Sequence, residues 1–319
     1  MTRLRSSLLT VAVAGAVLAP ATTAQGAPTT LAVEQAPTSV AAWKDIVMWS
    51  RFDPATRTYV LMKSVGGGAP IAVGVPARGG APFDIDLGTN RSGSTYGVYT
   101  RDGDIYRLNV ATGAETKIDE LSSPALAERS PTIQRGEIAF VRRNRGRDEL
   151  RIGNTTSGSR GSRLLVRGRS ILKPELGARH IAYVVTSPGP ISDEGTQSLR
   201  VRNLRTGADR RVYRAVSGGA NFANVTRPTW MAEPAGFFWA RTNQGSGRGN
   251  RLVRYTLRGS RLTYAQGSAM LNSTAWAGGA LGAVSTSSLT GDESPGGCAE
   301  ATNLCRVELT GPLQFDLGP

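Results

Sequence analysis

Histidine is almost absent from this chain, which has one, His180, in 319 residues. A Ser-His-Asp arrangement for nucleophilic hydrolysis needs a histidine as its general base. His180 directly precedes the apolar run Ile181 to Val184, so we expect it to mark the start of a buried strand. A G-x-S-x-G nucleophile motif is also missing from the sequence. Peptidase or esterase chemistry is therefore not expected, and no catalytic residue is assigned.

Cysteine is scarce as well, with only Cys298 and Cys305. A structural zinc site needs further cysteine or histidine ligands close by, and His180 is far away in sequence. Two thiols this close together usually pair in an oxidising compartment. We therefore predict a disulfide between them, and we expect neither a metal site nor a cofactor.

No apolar run is long enough for a membrane-spanning helix, which needs about 20 residues. The run from Leu8 to Leu18 follows Arg3 and Arg5 and precedes small residues, an arrangement typical of a secretory signal peptide. We expect residues 1–26 to be removed, with cleavage between Gln25 and Pro28, and the protein to be secreted. A buried N-terminal helix is the alternative.

Lysine occurs only four times, so the net charge of +14 comes almost entirely from arginine. The densest basic cluster contains Arg142, Arg143, Arg145 and Arg147, interrupted afterwards by acidic residues. Such a cluster either binds a polyanion or is a solvated loop in a protein whose genome favours arginine. Because we expect export, nucleic acid is excluded as the partner.

Long segments rich in helix-favouring residues are missing, whereas glycine and proline are plentiful. A short apolar run recurs six times, with successive starts about 42 to 56 residues apart. This spacing is typical of four-stranded propeller blades, and uninterrupted apolar runs are typical of strands buried on both faces. The six runs are Ile46 to Trp49, Tyr96 to Tyr99, Ile138 to Val141, Ile181 to Val184, Phe237 to Ala240 and Leu281 to Val284.

Two further signals accompany the runs. A hairpin turn follows the second run at Asp102-Gly103, where glycine tolerates the positive φ of a tight turn. A proline-containing element precedes several runs, as in Ser130-Pro131-Thr132, Lys173-Pro174-Glu175 and Arg227-Pro228-Thr229. These units resemble the PD40-type repeats of TolB-like β-propellers over most of the chain, from about Val40 to Phe315.

The resemblance implies an all-β fold, a six-bladed propeller of four-stranded antiparallel blades over residues 40–319. The stretch from Pro28 to Ser39 is too short for the N-terminal α/β domain of TolB itself, so partners of that domain are not implied. A propeller must close its ring. Residues 27–39 either supply a closing strand through Leu31 to Val33, beside the segment near Leu313 to Phe315, or stay disordered.

Asp84 and Asp86 alternate with apolar neighbours, so both carboxylates lie on one face of an extended segment. If this segment is an inner strand, that face lines the central channel and could bind a cation or a sugar. An ordinary solvated strand is the alternative.

The sequence as a whole predicts a non-enzymatic, monomeric binding or scaffold protein of the cell envelope or extracellular space, with a protein or an envelope polymer as partner. The alternative is a carbohydrate-active hydrolase or lyase that uses Asp84 and Asp86 as its acids.

Overall fold

A computed structural model describes residues 29–34, 38–154, 161–189, 195–218, 222–230, 236–244, 250–257, 261–267, 270–277, 280–287, 303–307 and 315–316. Strands and turns account for the regular structure in these ranges, so the all-β prediction is confirmed. Within the same ranges, no helix is long and apolar enough to cross a membrane.

The described strands form six sheets, numbered here in chain order. The first strand, β1 (Thr29–Val33), belongs to the last sheet. Sheet 1 contains β2 (Val40–Trp43), β3 (Ile46–Asp53), β4 (Thr58–Val65), β5 (Ile71–Ala72) and β6 (Arg78–Gly79). Sheet 2 contains β7 (Asp86–Thr89), β8 (Thr95–Arg101), β9 (Asp104–Asn109) and β10 (Glu115–Lys117).

The middle of the chain forms the two most regular sheets. Sheet 3 contains β11 (Glu128–Gln134), β12 (Glu137–Asn144), β13 (Arg147–Asn154) and β14 (Ser162–Gly168). Sheet 4 contains β15 (Ile171–Leu176), β16 (His180–Pro188), β17 (Gly195–Asn203) and β18 (Asp209–Ser217).

Two sheets complete the described part of the chain. Sheet 5 contains β19 (Phe222–Val225), β20 (Thr229–Trp230), β21 (Phe237–Gln244), β22 (Asn250–Tyr255) and β23 (Arg261–Gly267). Sheet 6 contains β24 (Met270–Ala277), β25 (Ala280–Ser287), β26 (Asn303–Val307) and β1. The last strand, β27 (Phe315–Asp316), lies parallel to β23 at the edge of sheet 5.

Four sheets, numbers 2, 3, 4 and 6, are four-stranded antiparallel blades, and the sheets stand in a propeller arrangement. The expectation of six such blades is corrected, because sheets 1 and 5 have five and six strands. In sheet 5, β19 and β20 both pair with β21 and are separated by Pro228, which has no N–H to donate to the ladder. In sheet 1, β5 and β6 both pair with β4.

The first strands of neighbouring sheets contact one another in sequence. Strand β2 contacts β7, β7 contacts β11, β11 contacts β15, β15 contacts β20, β20 contacts β24, and β24 contacts β2 again. The inner strands thereby form a closed circle. Each of the six apolar runs lies in the second strand of its sheet, between an inner and a third strand, as the sequence predicts. Their side chains fill the space between sheets: Val98 of sheet 2, for example, packs with Ile138 and Phe140 of sheet 3.

Strand β1 pairs antiparallel with β26, with Thr30 opposite Cys305. The expected pairing of this segment near Leu313 to Phe315 is wrong, because β26 is the strand that lies next to β25 and leaves its other edge for β1. Glu34, just after β1, is buried and accepts hydrogen bonds from Trp49 Nε1 at 2.5 Å and Arg51 Nη2 at 3.0 Å. These bonds hold the N-terminal segment against sheet 1.

Candidate binding sites

Asp84 and Asp86 lie at the start of the inner strand of sheet 2. Their neighbours Phe83, Ile85 and Leu87 are buried in one hydrophobic cluster, as the alternation predicts. Asp86 is 6% exposed and begins β7, whereas Asp84 lies two residues before β7 and is partly buried.

Both carboxylates bond to the backbone of the next sheet. Asp84 Oδ2 accepts hydrogen bonds from the backbone N–H of Ser130 at 2.7 Å and from Thr100 Oγ1 at 2.7 Å. Asp84 Oδ1 accepts one from the Thr100 N–H at 2.8 Å, and Asp86 Oδ2 accepts one from the Ile133 N–H at 2.9 Å. The two acids therefore join sheet 2 to sheet 3, which explains their positions without a ligand.

A β-bulge at the Ser-Pro element presents the Ser130 N–H to Asp84. The register between β11 and β12 shifts between Arg129 and Thr132, and Ser130 has a φ of 49°. The same shift occurs in sheet 4 between Leu172 and Glu175, where Lys173 has a φ of 51°. The proline element is thus a repeated bulge that re-aims side chains and N–H groups toward the adjacent sheet.

Arg227 extends from sheet 5 into the centre of the circle of inner strands. Its guanidinium donates to the carbonyl oxygens of Ile85 at 3.3 Å, Pro131 at 3.0 Å and Pro174 at 3.2 Å, one in each of sheets 2, 3 and 4. It also pairs with Glu175 Oε2 at 2.8 Å and lies 3.7 Å from Asp86 Oδ1. We call Asp86, Glu175 and Arg227 the axial cluster.

Glu175 is the member of the axial cluster whose pKa is raised. Burial raises its pKa well above the ordinary value, repulsion from Asp86 adds to this, and the attraction of Arg227 does not offset them. Nearby, burial lowers the pKa of Lys173 to about 8, and its Nζ donates to Asn224 Oδ1 at 3.0 Å and to the carbonyl oxygen of Val225 at 2.5 Å. The polar groups of these inner strands are buried or partly buried and mainly bond to one another.

The four arginines of the basic cluster divide into two pairs. Arg142 is internal: its Nε donates to buried Glu128 at 2.6 Å and its Nη2 to the carbonyl oxygen of Leu121 at 2.8 Å. Arg143 is half-exposed, and its Nη1 donates to buried Asp148 at 3.0 Å. Arg142 and Arg143 therefore each form a structural ion pair with a buried carboxylate.

The side chains of the other two, Arg145 and Arg147, are exposed and make no hydrogen bond or ion pair with a described residue. Arg145 lies in the tight turn between β12 and β13 and Arg147 follows it; Arg145 and Gly146 have φ values of 47° and 76°. Two successive positive φ values are the geometry of a type I′ hairpin, which matches the strand twist. The hairpin therefore directs both side chains to solvent at one end of sheet 3.

A cavity of about 330 Å³ opens beside this hairpin. We call it the arginine cavity; it is lined by Asn144, Arg145, Arg147, Glu149 and Arg167. The strand register explains why these residues line one cavity, because Asn144 lies opposite Arg147 and Glu149 lies opposite Arg167. Alternate residues of a strand share a face, which brings Arg147 and Glu149 to the same side.

Glu149 is the acidic group of the arginine cavity. Its Oε1 accepts hydrogen bonds from Asn144 Nδ2 at 3.2 Å and Arg167 Nη2 at 2.5 Å, and its Oε2 accepts one from Arg151 Nη1 at 2.7 Å. Burial acts to raise its pKa, but the bonds from Arg167 and Arg151 outweigh burial and hold the pKa below the ordinary value. The carboxylate is therefore ionised at neutral pH.

Sequence reasoning found Arg145 and Arg147 but treated Glu149 only as an interruption of the basic run. The alternation of residues in the strands on either side of the Arg145-Gly146 turn could have indicated that Glu149 and Asn144 share a face with Arg147. Cys305 lies in β26, whereas Cys298 lies outside the described residues, as does the segment 1–26. The disulfide and the signal peptide therefore stay predictions.

No family model matches this chain, and no curated protein matches its sequence. Among solved structures, it is similar to an oligogalacturonate lyase in complex with manganese, with a TM-score of 0.56, 10% identity, and coverage of 86% of this chain and 78% of that chain. It is also similar to an oligogalacturonate lyase from Vibrio parahaemolyticus, with a TM-score of 0.51, 6% identity, and coverage of 87% and 92%.

A puromycin-hydrolysing peptidase from Mycobacterium tuberculosis is a further similar structure, with a TM-score of 0.50 and 15% identity. The match covers 82% of this chain and 45% of that one. At these identities the likeness concerns the fold alone, and it agrees with the propeller arrangement of the sheets.

Proposed function

We propose that this chain is a non-enzymatic binding protein, exported from the cell, that binds an anionic polymer of the cell envelope through the arginine cavity. The observation that carries the proposal is the state of Arg145 and Arg147, two exposed guanidinium groups with no ion pair among the described residues. Arginine presents a planar set of donors that fits carboxylate and phosphate groups.

The surroundings favour an anion over a cation. Asp148 is fully buried beneath this end of sheet 3 and is occupied by Arg129 and Arg143. Glu149 is similarly occupied by Arg151 and Arg167. Because both carboxylates are already compensated, the free charge at the surface of the hairpin is positive, and its attraction for a polyanion weakens with salt.

Retention on immobilised heparin, measured against sodium chloride concentration, tests the proposal. The variant Arg145→Gln/Arg147→Gln should elute at lower salt than the parent and show a smaller salt dependence. The matched control is Arg91→Gln/Arg205→Gln, which removes the same charge from exposed turns at the other end of the strands. Equal retention of the two variants would show that only net charge matters and would overturn the proposal.

Two features of the chain beyond the site belong to the same proposal. Secretion through cleavage of residues 1–26 accounts for a partner in the envelope. The repeat units are TolB-like, which is supported by the bulged proline element that recurs in the inner strands of sheets 3 and 4.

A carbohydrate-active enzyme is the second candidate. Glu175 favours it, because a buried carboxyl with a raised pKa is suited to act as a general acid. Asp84 does not, since Ser130 and Thr100 already occupy its carboxylate. Release of reducing ends from acidic polysaccharides by the parent, and its loss in Glu175→Gln, would favour the enzyme; no release by the parent would favour the binding protein.

A further inference from the structure

We infer that the end of the molecule opposite the arginine cavity binds the surface of a lipid bilayer that contains anionic headgroups. The inference goes beyond the proposed function, because it concerns other residues and another partner. In sheets 1 to 4, the turn between the first and the second strand carries an exposed basic residue. We call these four turns the basic rim; their basic residues are Lys44, Arg91, Arg135 and Arg179.

The rim residues lie in tight connections that point them away from the strands. Lys44 and Arg135 have φ values of 55° and 51°, in the left-handed region that short turns require. The side chains of Lys44, Arg91 and Arg135 make no hydrogen bond or ion pair with a described residue. Three cationic groups of the rim are therefore available to a partner.

The turns of the rim are neighbours around the ring. The first strands of sheets 1 to 4 contact one another in sequence, so the turns that follow these strands lie side by side. The Gly136 N–H, next to Arg135, donates to the carbonyl oxygen of Thr89 at 2.7 Å, two residues before Arg91. Inner strands are so close here that a Cβ added to Gly88 would clash with the backbone of the next sheet. The rim turns of sheets 2 and 3 are thus held at a fixed spacing.

The common direction of the inner strands favours a flat partner. Each of the four first strands ends at its rim turn, so the basic side chains are presented at the same end of the ring. Strand β12 runs from Glu137, beside the rim, to Asn144, beside the arginine cavity, which places the two sites at opposite ends of one strand. A flat surface meets all the rim turns at once, whereas a single polymer chain would have to bend around the ring.

Aliphatic side chains beside the rim favour a bilayer in particular. Val65 is 48% exposed and Ile71 is 55% exposed. The Gly66 N–H donates to the carbonyl oxygen of Asp45 at 2.8 Å, so Val65 lies next to the turn that carries Lys44. Binding to a bilayer surface gains from buried apolar area as well as from attraction to anionic lipids. A purely ionic polymer offers nothing to these two side chains.

Two exposed acids lie in the same turns and weaken the attraction. Asp45 follows Lys44, and Glu137 lies two residues after Arg135. Four basic residues still outnumber two acids, so the rim keeps a positive charge. Removal of the acids should therefore change lipid binding in the opposite direction to removal of the basic residues.

Cosedimentation with vesicles tests the inference. The protein is used as we expect it to be exported, without residues 1–26, because their apolar run would itself enter a bilayer. The parent should bind vesicles of phosphatidylglycerol and phosphatidylcholine in equal parts and should not bind pure phosphatidylcholine. Lys44→Gln/Arg91→Gln/Arg135→Gln should weaken binding to the anionic vesicles by about a hundredfold, as for three charges near an anionic surface. Asp45→Asn/Glu137→Gln should strengthen it.

The matched control removes the same charge from exposed positions outside the rim, in Arg57→Gln/Arg169→Gln/Arg214→Gln. Arg57 also has a positive φ, of 54°, so a similar backbone position is substituted. This control should keep most of the parent's vesicle binding, and equal weakening of the two triple variants would overturn the inference. Equal binding of the parent to both kinds of vesicle, or to neither, would overturn it too. Melting curves establish folding; if the rim variant does not fold, the parent's preference and the effect of Asp45→Asn/Glu137→Gln decide.

Retention on heparin separates the rim from the arginine cavity. The rim variant should lose no more retention than the control, because one chain does not reach the separate turns together. A larger loss would make the rim a general polyanion site and would overturn the assignment to lipid. If the parent does not bind vesicles but its retention depends on Arg145 and Arg147, the proposed function stands alone. Vesicle binding through the rim without that dependence would leave only the present inference.

Discussion

The carboxylate of Asp84 accepts a hydrogen bond of 2.7 Å from the backbone N–H of Ser130, which lies in the inner strand of the next sheet. Thr100 binds the same carboxylate through its hydroxyl and its N–H. The Ser130 N–H is available only because the Ser-Pro element forms a bulge. Asp84 therefore connects a repeated backbone irregularity to the packing of two sheets.

The first prediction concerns this connection. An asparagine has one acceptor oxygen and an NH₂ group that cannot accept, so Asp84→Asn leaves the Ser130 N–H or the Thr100 N–H unsatisfied. Asp86→Asn keeps an acceptor for the Ile133 N–H and loses only the charge near Arg227. Asp84→Asn should lower the free energy of unfolding by about 1–3 kcal/mol, and Asp86→Asn should lower it by less. Urea denaturation measures this, with Asp119→Asn as the control, because the Asp119 side chain is 83% exposed. Unchanged stability in both variants would contradict a structural role for the two carboxylates and favour the alternative that they bind a ligand.

The second prediction concerns Arg227. Removal of its guanidinium leaves Glu175 and three carbonyl groups without their shared donor, so Arg227→Met should cost about 3–5 kcal/mol of stability, as for a broken buried pair. The double variant Arg227→Met/Glu175→Met removes the uncompensated carboxyl too and should be more stable than Arg227→Met. A double-mutant cycle with no coupling would contradict the axial cluster.

The third prediction is a pH dependence. The pKa of Glu175 is raised in the folded state. Its contribution to stability is therefore fully present below the ordinary value of 4.5 and is lost as the pH rises through the folded pKa. The free energy of unfolding of the parent should fall as the pH rises above the ordinary value of 4.5, relative to that of Glu175→Gln.

At acid pH, two other carboxyl groups make the free energy of unfolding change with pH in the opposite direction. The pKa values of Asp148 and Glu149 are lowered, since hydrogen bonds from the Ile171 N–H and from arginines outweigh burial. Their contribution is present above the ordinary values of 3.8 and 4.5 and is lost as the pH falls through the folded pKa values, in the parent and in Glu175→Gln alike. Parallel profiles above pH 5 would rule out a raised pKa for Glu175. Measurements stay below the pKa of Lys173, about 8, where that group begins to titrate.

The fourth prediction is the disulfide between Cys298 and Cys305 in the exported protein. The closed loop is short, so the bridge should add only about 2–3 kcal/mol. Intact-mass measurement before and after reduction should show the two hydrogens of one bridge. Alkylation of both thiols in the native, unreduced protein would argue against it.

The fifth prediction is the start of the secreted chain. N-terminal sequencing of the protein from culture medium should place it between Gln25 and Pro28, where small residues precede the cut. Protein in the medium that still begins at Met1 would contradict cleavage.

Much of the fold could be predicted from local pattern. The six apolar runs became second strands because an uninterrupted apolar segment is stable only between two covered faces. The Asp102-Gly103 turn formed as expected, with φ values of 54° and 84°. The pairing partner of β1 could not be predicted, because several apolar patches near the C-terminus are equivalent in sequence and only the order of strands in sheet 6 distinguishes them.

The sequence by itself determined the strand repeat, the alternation of Asp84 and Asp86 with buried neighbours, and the positive charge around the Arg145-Gly146 turn, since these depend on residues close together in the chain. Only the tertiary structure decided what the charges do. Glu128 and Asp148 neutralise Arg142 and Arg143, and Ser130 occupies Asp84. Arg145 and Arg147 make no ion pair with a described residue, because Asp148 and Glu149 beside their turn already pair with other arginines. The sequence shows which residues are charged, but which of the charges form ion pairs depends on the distances between sheets.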